Sequence, residues 1–165
     1  MAPVTLNVRR QTLQPRHLIG AVVLSLAVGG CGETSAGAGQ ISQRIGEVAS
    51  DPAVREVDLG KLTTFGWDRV YFFKPGTPRK EVCVFIAARD GLCERVIRHQ
   101  SVAGESMTIV FSLKNQLTHV ELHSLANGRF DIEPSRAGLP REASVFKVRR
   151  EPSTDGKAIL WLEPK

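Results

Sequence analysis

No Gly-x-Ser-x-Gly elbow, phosphate loop or dinucleotide fingerprint occurs in the 165 residues, and the zinc-protease order His-Glu-x-x-His is also absent. Nothing in the chain therefore assigns a catalytic residue or a cofactor, and a non-enzymatic role is expected. There is no internal repeat, and no low-complexity segment apart from a short run of small residues after Cys31. Acids are missing from the first thirty residues, which carry Arg9, Arg10 and Arg16. Removing that stretch leaves 135 residues with 19 basic and 17 acidic side chains, a net charge of only +2. The high isoelectric point thus belongs largely to the front of the chain. A nucleic-acid partner, which demands a concentrated basic stripe to neutralise several phosphates, is not expected. Arg79-Lys80 and the group Lys147, Arg149 and Arg150 are short clusters of the kind that cover a solvated face.

The apolar run from Leu18 to Val28 is eleven residues long, too short to cross a bilayer core of about 30 Å as a permanent helix. Arginines before it and the small residues Gly29 and Gly30 after it give the three regions of an export signal. Val28-Gly29-Gly30-Cys31 resembles the bacterial lipobox. That resemblance implies cleavage before Cys31, diacylation of its thiol, and lasting attachment to a membrane, since each buried methylene contributes about 0.8 kcal/mol. Gly32 in place of Asp resembles lipoproteins sorted to the outer membrane, facing the periplasm, where the host has two membranes. The competing site Ala36-Gly37-Ala38 suits ordinary signal peptidase and would release a soluble product; it lies well beyond the apolar run, whereas Cys31 directly follows it.

Residues 31–40 read as a flexible tether, with a reach of roughly 15 to 18 Å from the anchor. The rest, 41–165, is of a size for one domain, and 42% apolar with 24% charged residues over the whole chain is enough to fill a core. Ile41, Ile45 and Val48 recur at helical spacing up to Asp51-Pro52, which predicts a short amphipathic helix. From Val57 onward, β-branched and aromatic runs broken by Gly, Pro, Asn and Asp predict antiparallel strands. The fold class is α+β, a mainly antiparallel sheet of hairpins forming a meander, with a short N-terminal helix. Trp67 to Lys74 reads as a central strand, with Val70 and Phe72 on one face and Trp67, Tyr71 and Phe73 on the other. Met107 to Leu113 and Leu117 to Ser124 flank a turn at Lys114-Asn115-Gln116; Asn127-Gly128 turns into Phe130 to Glu133; Asp155-Gly156 joins the last two strands.

With Cys31 lipidated, Cys83 and Cys93 remain, an even pair that invites a disulfide in an oxidising compartment. Two local folds compete. A helix opened by Thr77-Pro78 and closed before Gly91 lets the bond form. A hairpin turning at Asp90-Gly91 places the sulfurs on opposite faces and leaves two buried thiols. Val82, Val84, Phe85 and Ile86 favour the hairpin, and cysteine parity favours the bond.

His119, Glu121 and His123 share one face if they lie on a strand, but the two histidines are then about 13 Å apart, too far to chelate one ion. A polar sheet face is expected there and no metal. Asp68, Asp131 and Glu133 are carboxylates near aromatics, without a pattern that makes them a catalytic pair.

Phe65-Gly66-Trp67-Asp68-Arg69-Val70-Tyr71-Phe72-Phe73-Lys74-Pro75 resembles a Phe-x-Trp-Asp-x-Val-Tyr-x-Phe-x-Pro segment shared by small uncharacterised bacterial lipoproteins and exported proteins. Gly76-Thr77 follows the proline here, where a Tyr-Thr pair is common in that group. The resemblance implies an exported α+β domain and no particular activity. The expectation is an envelope lipoprotein, held to the membrane by its lipid, that binds an envelope protein or supports an assembly. A secretion-system immunity protein or hydrolase inhibitor is the alternative, and a small envelope enzyme ranks behind both.

Overall fold

The computed structural model describes residues 38–87, 92–154 and 156–165; Cys31, and with it the lipidation site and most of the tether, lies outside them. In order come helix α1 (Gln40–Ser50), strand β1 (Glu56–Asp58), a helical turn α2 (Leu59–Leu62), β2 (Arg69–Phe73), helices α3 (Arg79–Phe85) and α4 (Leu92–Val96), the hairpin β3 (Ser106–Leu113) and β4 (Gln116–Ser124), short β5 (Arg129–Phe130) and β6 (Leu139–Pro140), and the closing hairpin β7 (Val145–Pro152) and β8 (Ala158–Pro164). The α+β class holds, with every strand pair antiparallel except β5 with β8.

The strands form two four-stranded sheets rather than one meander, in the orders β4-β3-β2-β6 and β1-β7-β8-β5. The departure comes at Gly128. Its φ of +134° and the approach of Leu162 Cδ1 to within 2.9 Å of where a Cβ would stand require glycine, and the chain leaves β4 there to pair parallel with β8 in the other sheet. Asn127-Gly128 is a turn, as its residues suggest, but it exits the sheet instead of folding back on it.

The principal core lies between the sheets. Val70, Phe72, Ile109 and Phe111 from one face meet Val57, Phe146, Leu160 and Leu162 from the other, with Ile41 and Ile45 of α1 joining them. Phe72, Phe130 and Phe146 form an aromatic contact across the gap, with ring centroids 4.6 to 5.7 Å apart. A second cluster covers the outer face of the first sheet, where Phe73 and Val110 pack under Val82, Cys93 and Ile97. β2 is therefore buried on both sides, as its apolar composition suggests. Trp67, however, precedes the strand; its ring packs edge-on to Phe111 in the principal core, on the side of Val70 and Phe72. The alternation rule fails for Trp67 because it is not in extended register with the residues that follow.

The turn proposed at Asp90-Gly91 lies outside the described residues, but the strand that would lead into it is not formed. Arg79 to Phe85 is helical, and Val84, which would share a strand face with Val82, is 65% exposed while Val82 is fully buried. Intrinsic β preference loses to tertiary demand: the aromatic outer face of β2 needs a cover, and a helical turn presents Val82 and Phe85 to it together. Pro78 occupies the N-cap with extended backbone, while the Thr77 hydroxyl donates to the Lys74 carbonyl instead of capping the helix. Cys83 and Cys93 are joined across the two helices, with Cα atoms 5.8 Å apart.

The β3–β4 turn is tighter than expected. Lys114 and Asn115, with φ of 51° and 61°, make a two-residue turn whose handedness matches the strand twist, and Gln116 already belongs to β4.

Candidate functional site

His119, Glu121 and His123 lie on one face of β4, paired respectively with Phe111, Ile109 and Met107 of β3. Glu121 and His123 are buried on that face, with Glu121 under the start of α1, so the polar sheet face expected from the sequence is largely covered, while the His119 side chain stays 37% exposed. Each member has a distinct partner. Glu121, 6% exposed at its side chain, accepts from the backbone amides of Ile41 at 3.3 Å and Ser42 at 2.7 Å, and lies 3.0 Å from His119 Nε2. Those two amides are in the first turn of α1, where no carbonyl within the helix reaches them. Glu121 is thus an N-cap supplied from eighty residues away in sequence, placing negative charge at the positive end of the helix.

The rest of the helix start is built around this contact. Gly39 donates its amide to the Leu122 carbonyl at 2.9 Å, and a Cβ on Gly39 would stand 2.3 Å from Glu121 Oε2. The fold therefore begins no later than Gly39, inside the stretch read as tether. Ser42, fully buried, accepts from the Ser124 amide and from Asn127 Nδ2. At the other end of α1, Arg150 Nη2 donates to the carbonyls of Ala49, Asp51 and Val54 at 2.6 to 3.0 Å. Arg150 therefore points inward, and of the cluster Lys147, Arg149 and Arg150 only the first two lie on the outer face. A carboxylate from one sheet and a guanidinium from the other hold the helix at its two ends.

His123 has no exposed surface, and its Nε2 lies 2.7 Å from the Gly128 carbonyl. Burial pushes its imidazole down to about 4, against smaller opposing effects of the Gly128 carbonyl and the Glu121 charge. At neutral pH the ring is therefore uncharged with its proton on Nε2, donating to Gly128, while Nδ1 is buried without a partner. Among the described residues no group of three or more histidines, cysteines or carboxylates is placed to hold a metal ion.

The three carboxylates near aromatics are dispersed. Asp68 accepts from the Lys114 amide at 2.9 Å and so braces the β3–β4 turn; Glu133 pairs with Lys74 at 2.9 Å; Asp131 is exposed. Arg141 spans the Trp67 region, donating to the Gly60 carbonyl while its guanidinium lies 5.0 Å over the Trp67 ring. None of these contacts joins two carboxylates across an open site.

A concavity does exist elsewhere. A cleft of about 660 Å³ opens where the far end of the β3–β4 hairpin meets the β5–β8 edge of the second sheet. Its lining includes apolar Val102, Leu122, Leu125 and Ile159, together with Arg129, Lys157 and Glu105. Sequence reasoning singled out none of these, because they come from four separate segments with no shared pattern. On the outer face beside it, Trp161 lies between the guanidiniums of Arg129 and Arg149, at 5.6 and 5.4 Å, and its indole N–H donates to Glu151. That hydrogen bond, with the adjacent Arg149, holds the Glu151 carboxyl below its usual range.

Comparison with models of protein families, with curated proteins and with solved structures gives no match to this chain.

Proposed function

We propose that the chain is a cell-envelope lipoprotein, attached to a membrane through acylated Cys31, whose domain works by binding rather than by catalysis. The observation that carries this reading is the placement of Cys31 directly after an arginine-led apolar run of eleven residues. Gly39, eight positions after Cys31, already makes a tertiary hydrogen bond, to the Leu122 carbonyl. Such spacing suits a lipid anchor joined to a folded head by a short connection. The Phe-x-Trp-Asp segment points to the same class. The polar groups that most resembled chemistry, His119, Glu121 and His123, are engaged in holding α1 and the Gly128 turn, which favours a binding role. No helix among the described residues is long and apolar enough to cross a membrane.

The test is intact-mass analysis and membrane fractionation of the full chain expressed in a bacterial host. The expected product begins at Cys31, carries acyl mass and sediments with membranes, while Cys31→Ser keeps its signal or is released. A product lacking residue 31, or carrying it unmodified, overturns the reading. Crosslinking and co-purification then distinguish an assembly role, with envelope machinery recovered, from an inhibitor role, with one toxin or hydrolase recovered.

A further inference from the structure

β4 is the outer strand of its sheet, and the start of the domain closes its free edge at two points. The Leu122 carbonyl accepts from Gly39, and the Ser124 amide donates to Ser42 Oγ, so the backbone groups of Leu122 and Ser124 point away from β3. Strand alternation turns Val120, two residues before Leu122, the same way. The N–H and C=O of Val120 have no partner among the described residues. On the other side of Val120, Thr118 is the extra residue of a bulge opposite Phe111 and Ser112, which turns the edge away. Val120 is left uncovered between the two.

A hollow lies on each face of the strand at this point, and Val120 and Glu121 line both. The inner one, about 330 Å³, has Leu62, Phe65, His119 and Arg44 in its lining. The outer one, about 210 Å³, is lined by Val96, Arg98 and His99 together with Leu122. Arg44 and Arg98 each donate to a backbone carbonyl, of Leu62 and Arg95, which holds the guanidiniums without neutralising them. Neither arginine makes an ion pair among the described residues, and nor does His99. Glu121, the carboxylate of both linings, is buried and already accepts from the Ile41 and Ser42 amides. The uncovered edge is therefore flanked by positive charge.

We infer that β4 takes up an extended acidic segment of a partner protein as an added antiparallel strand. One residue of the segment pairs with Val120, donating its N–H to the Val120 carbonyl and accepting from the Val120 amide. Val120 projects to the outer face, toward Val110 and Phe73, so the side chain of the paired residue lies on that face too. There a carboxylate meets Arg98 and His99. The neighbouring residue, opposite His119, turns to the inner face, where Leu62 and Phe65 suit an apolar side chain. A second copy of this chain would set like charges against each other across the edge. The inference gives a partner class to the binding role proposed above and makes no use of the lipid anchor.

The test follows the fluorescence anisotropy of a dye-labelled, end-capped peptide, Thr-Glu-Leu-Glu-Leu-Glu-Thr, titrated with the natively processed full chain in an uncharged maltoside detergent. The expected result is saturable binding, weakened about tenfold when lysine replaces each glutamate. Methylating the backbone nitrogens of the glutamates, which face the edge, should also weaken it about tenfold. Arg98→Gln should weaken it severalfold. Hydrogen exchange followed by NMR should show the Val120 amide slowed about tenfold by the peptide, a protection that contact elsewhere on the surface does not give. No binding at millimolar peptide, equal binding of the lysine or methylated peptide, unchanged affinity in Arg98→Gln, or an unprotected Val120 amide overturns the inference. So does a dimer in light scattering whose Val120 amide is protected without peptide, because the edge then belongs to a second copy. The mass at Cys31, read on the same preparation, keeps the two readings apart. An unacylated chain that binds the peptide defeats only the anchoring reading, and an acylated chain that does not bind defeats only the strand addition.

Discussion

Lowering the pH should destabilise this domain through one side chain, and the size of the effect follows from the burial of His123. The imidazole ordinarily titrates at 6.5 and in the fold is pushed down to about 4, chiefly by desolvation. Protonation would put a second N–H at Nδ1, an atom buried with no acceptor. Between those two values the unfolded chain holds a proton that the folded chain does not, so stability falls as pH falls. The slope is about 1.4 kcal/mol per pH unit, and the accumulated loss reaches about 3 kcal/mol near pH 4. Above 6.5 both states are neutral and the effect vanishes. The measurement is a difference between two proteins, so that every other group common to both cancels. Urea unfolding at pH 7 and pH 4 should show the unmodified chain losing about 3 kcal/mol more than His123→Gln, whose amide can still donate toward Gly128. Equal losses in the two proteins would refute the argument, because the buried ring would then not be the group that takes up the proton.

Two further outcomes follow from the ends of α1 and from the disulfide. Glu121→Ala leaves the Ile41 and Ser42 amides without their acceptor and should cost about 2 to 3 kcal/mol, with hydrogen-exchange protection lost first in the opening turn of α1. Reduction of the Cys83–Cys93 bond, or Cys83→Ser, should lower stability by about 2 to 3 kcal/mol in thermal or urea unfolding; a reduced protein as stable as the oxidised one would mean that the α3–α4 layer is held by Phe73, Val82 and Ile97 alone.

The local features were legible because their causes are local. Ile41, Ile45 and Val48 announce α1, Asp51-Pro52 ends it, and the apolar run of β2 announces a strand buried on both faces. Hairpins joined by short turns were readable for the same reason: turn residues near +60° in φ leave a compositional mark. The errors fell where a distant partner decides. Val82 to Ile86 has the composition of a strand yet forms a helix, because the outer face of the first sheet needed covering. Trp67 was assigned to the wrong face because the strand register starts two residues after it.

What the sequence determined by itself is the alphabet of elements, the antiparallel class, and the arrangement around Cys31 from which an envelope address is proposed. Only the tertiary structure decided that the strands divide into two sheets at Gly128, that Glu121 and Arg150 hold one helix from opposite sheets, and that Arg129, Lys157 and Glu105 border a common cleft. The physical reason is range. Backbone preferences and hydrophobic periodicity act over a few residues, whereas capping amides, buried imidazoles and clefts depend on groups brought together from as far as a hundred residues apart, and no spacing in the chain records which of them will meet.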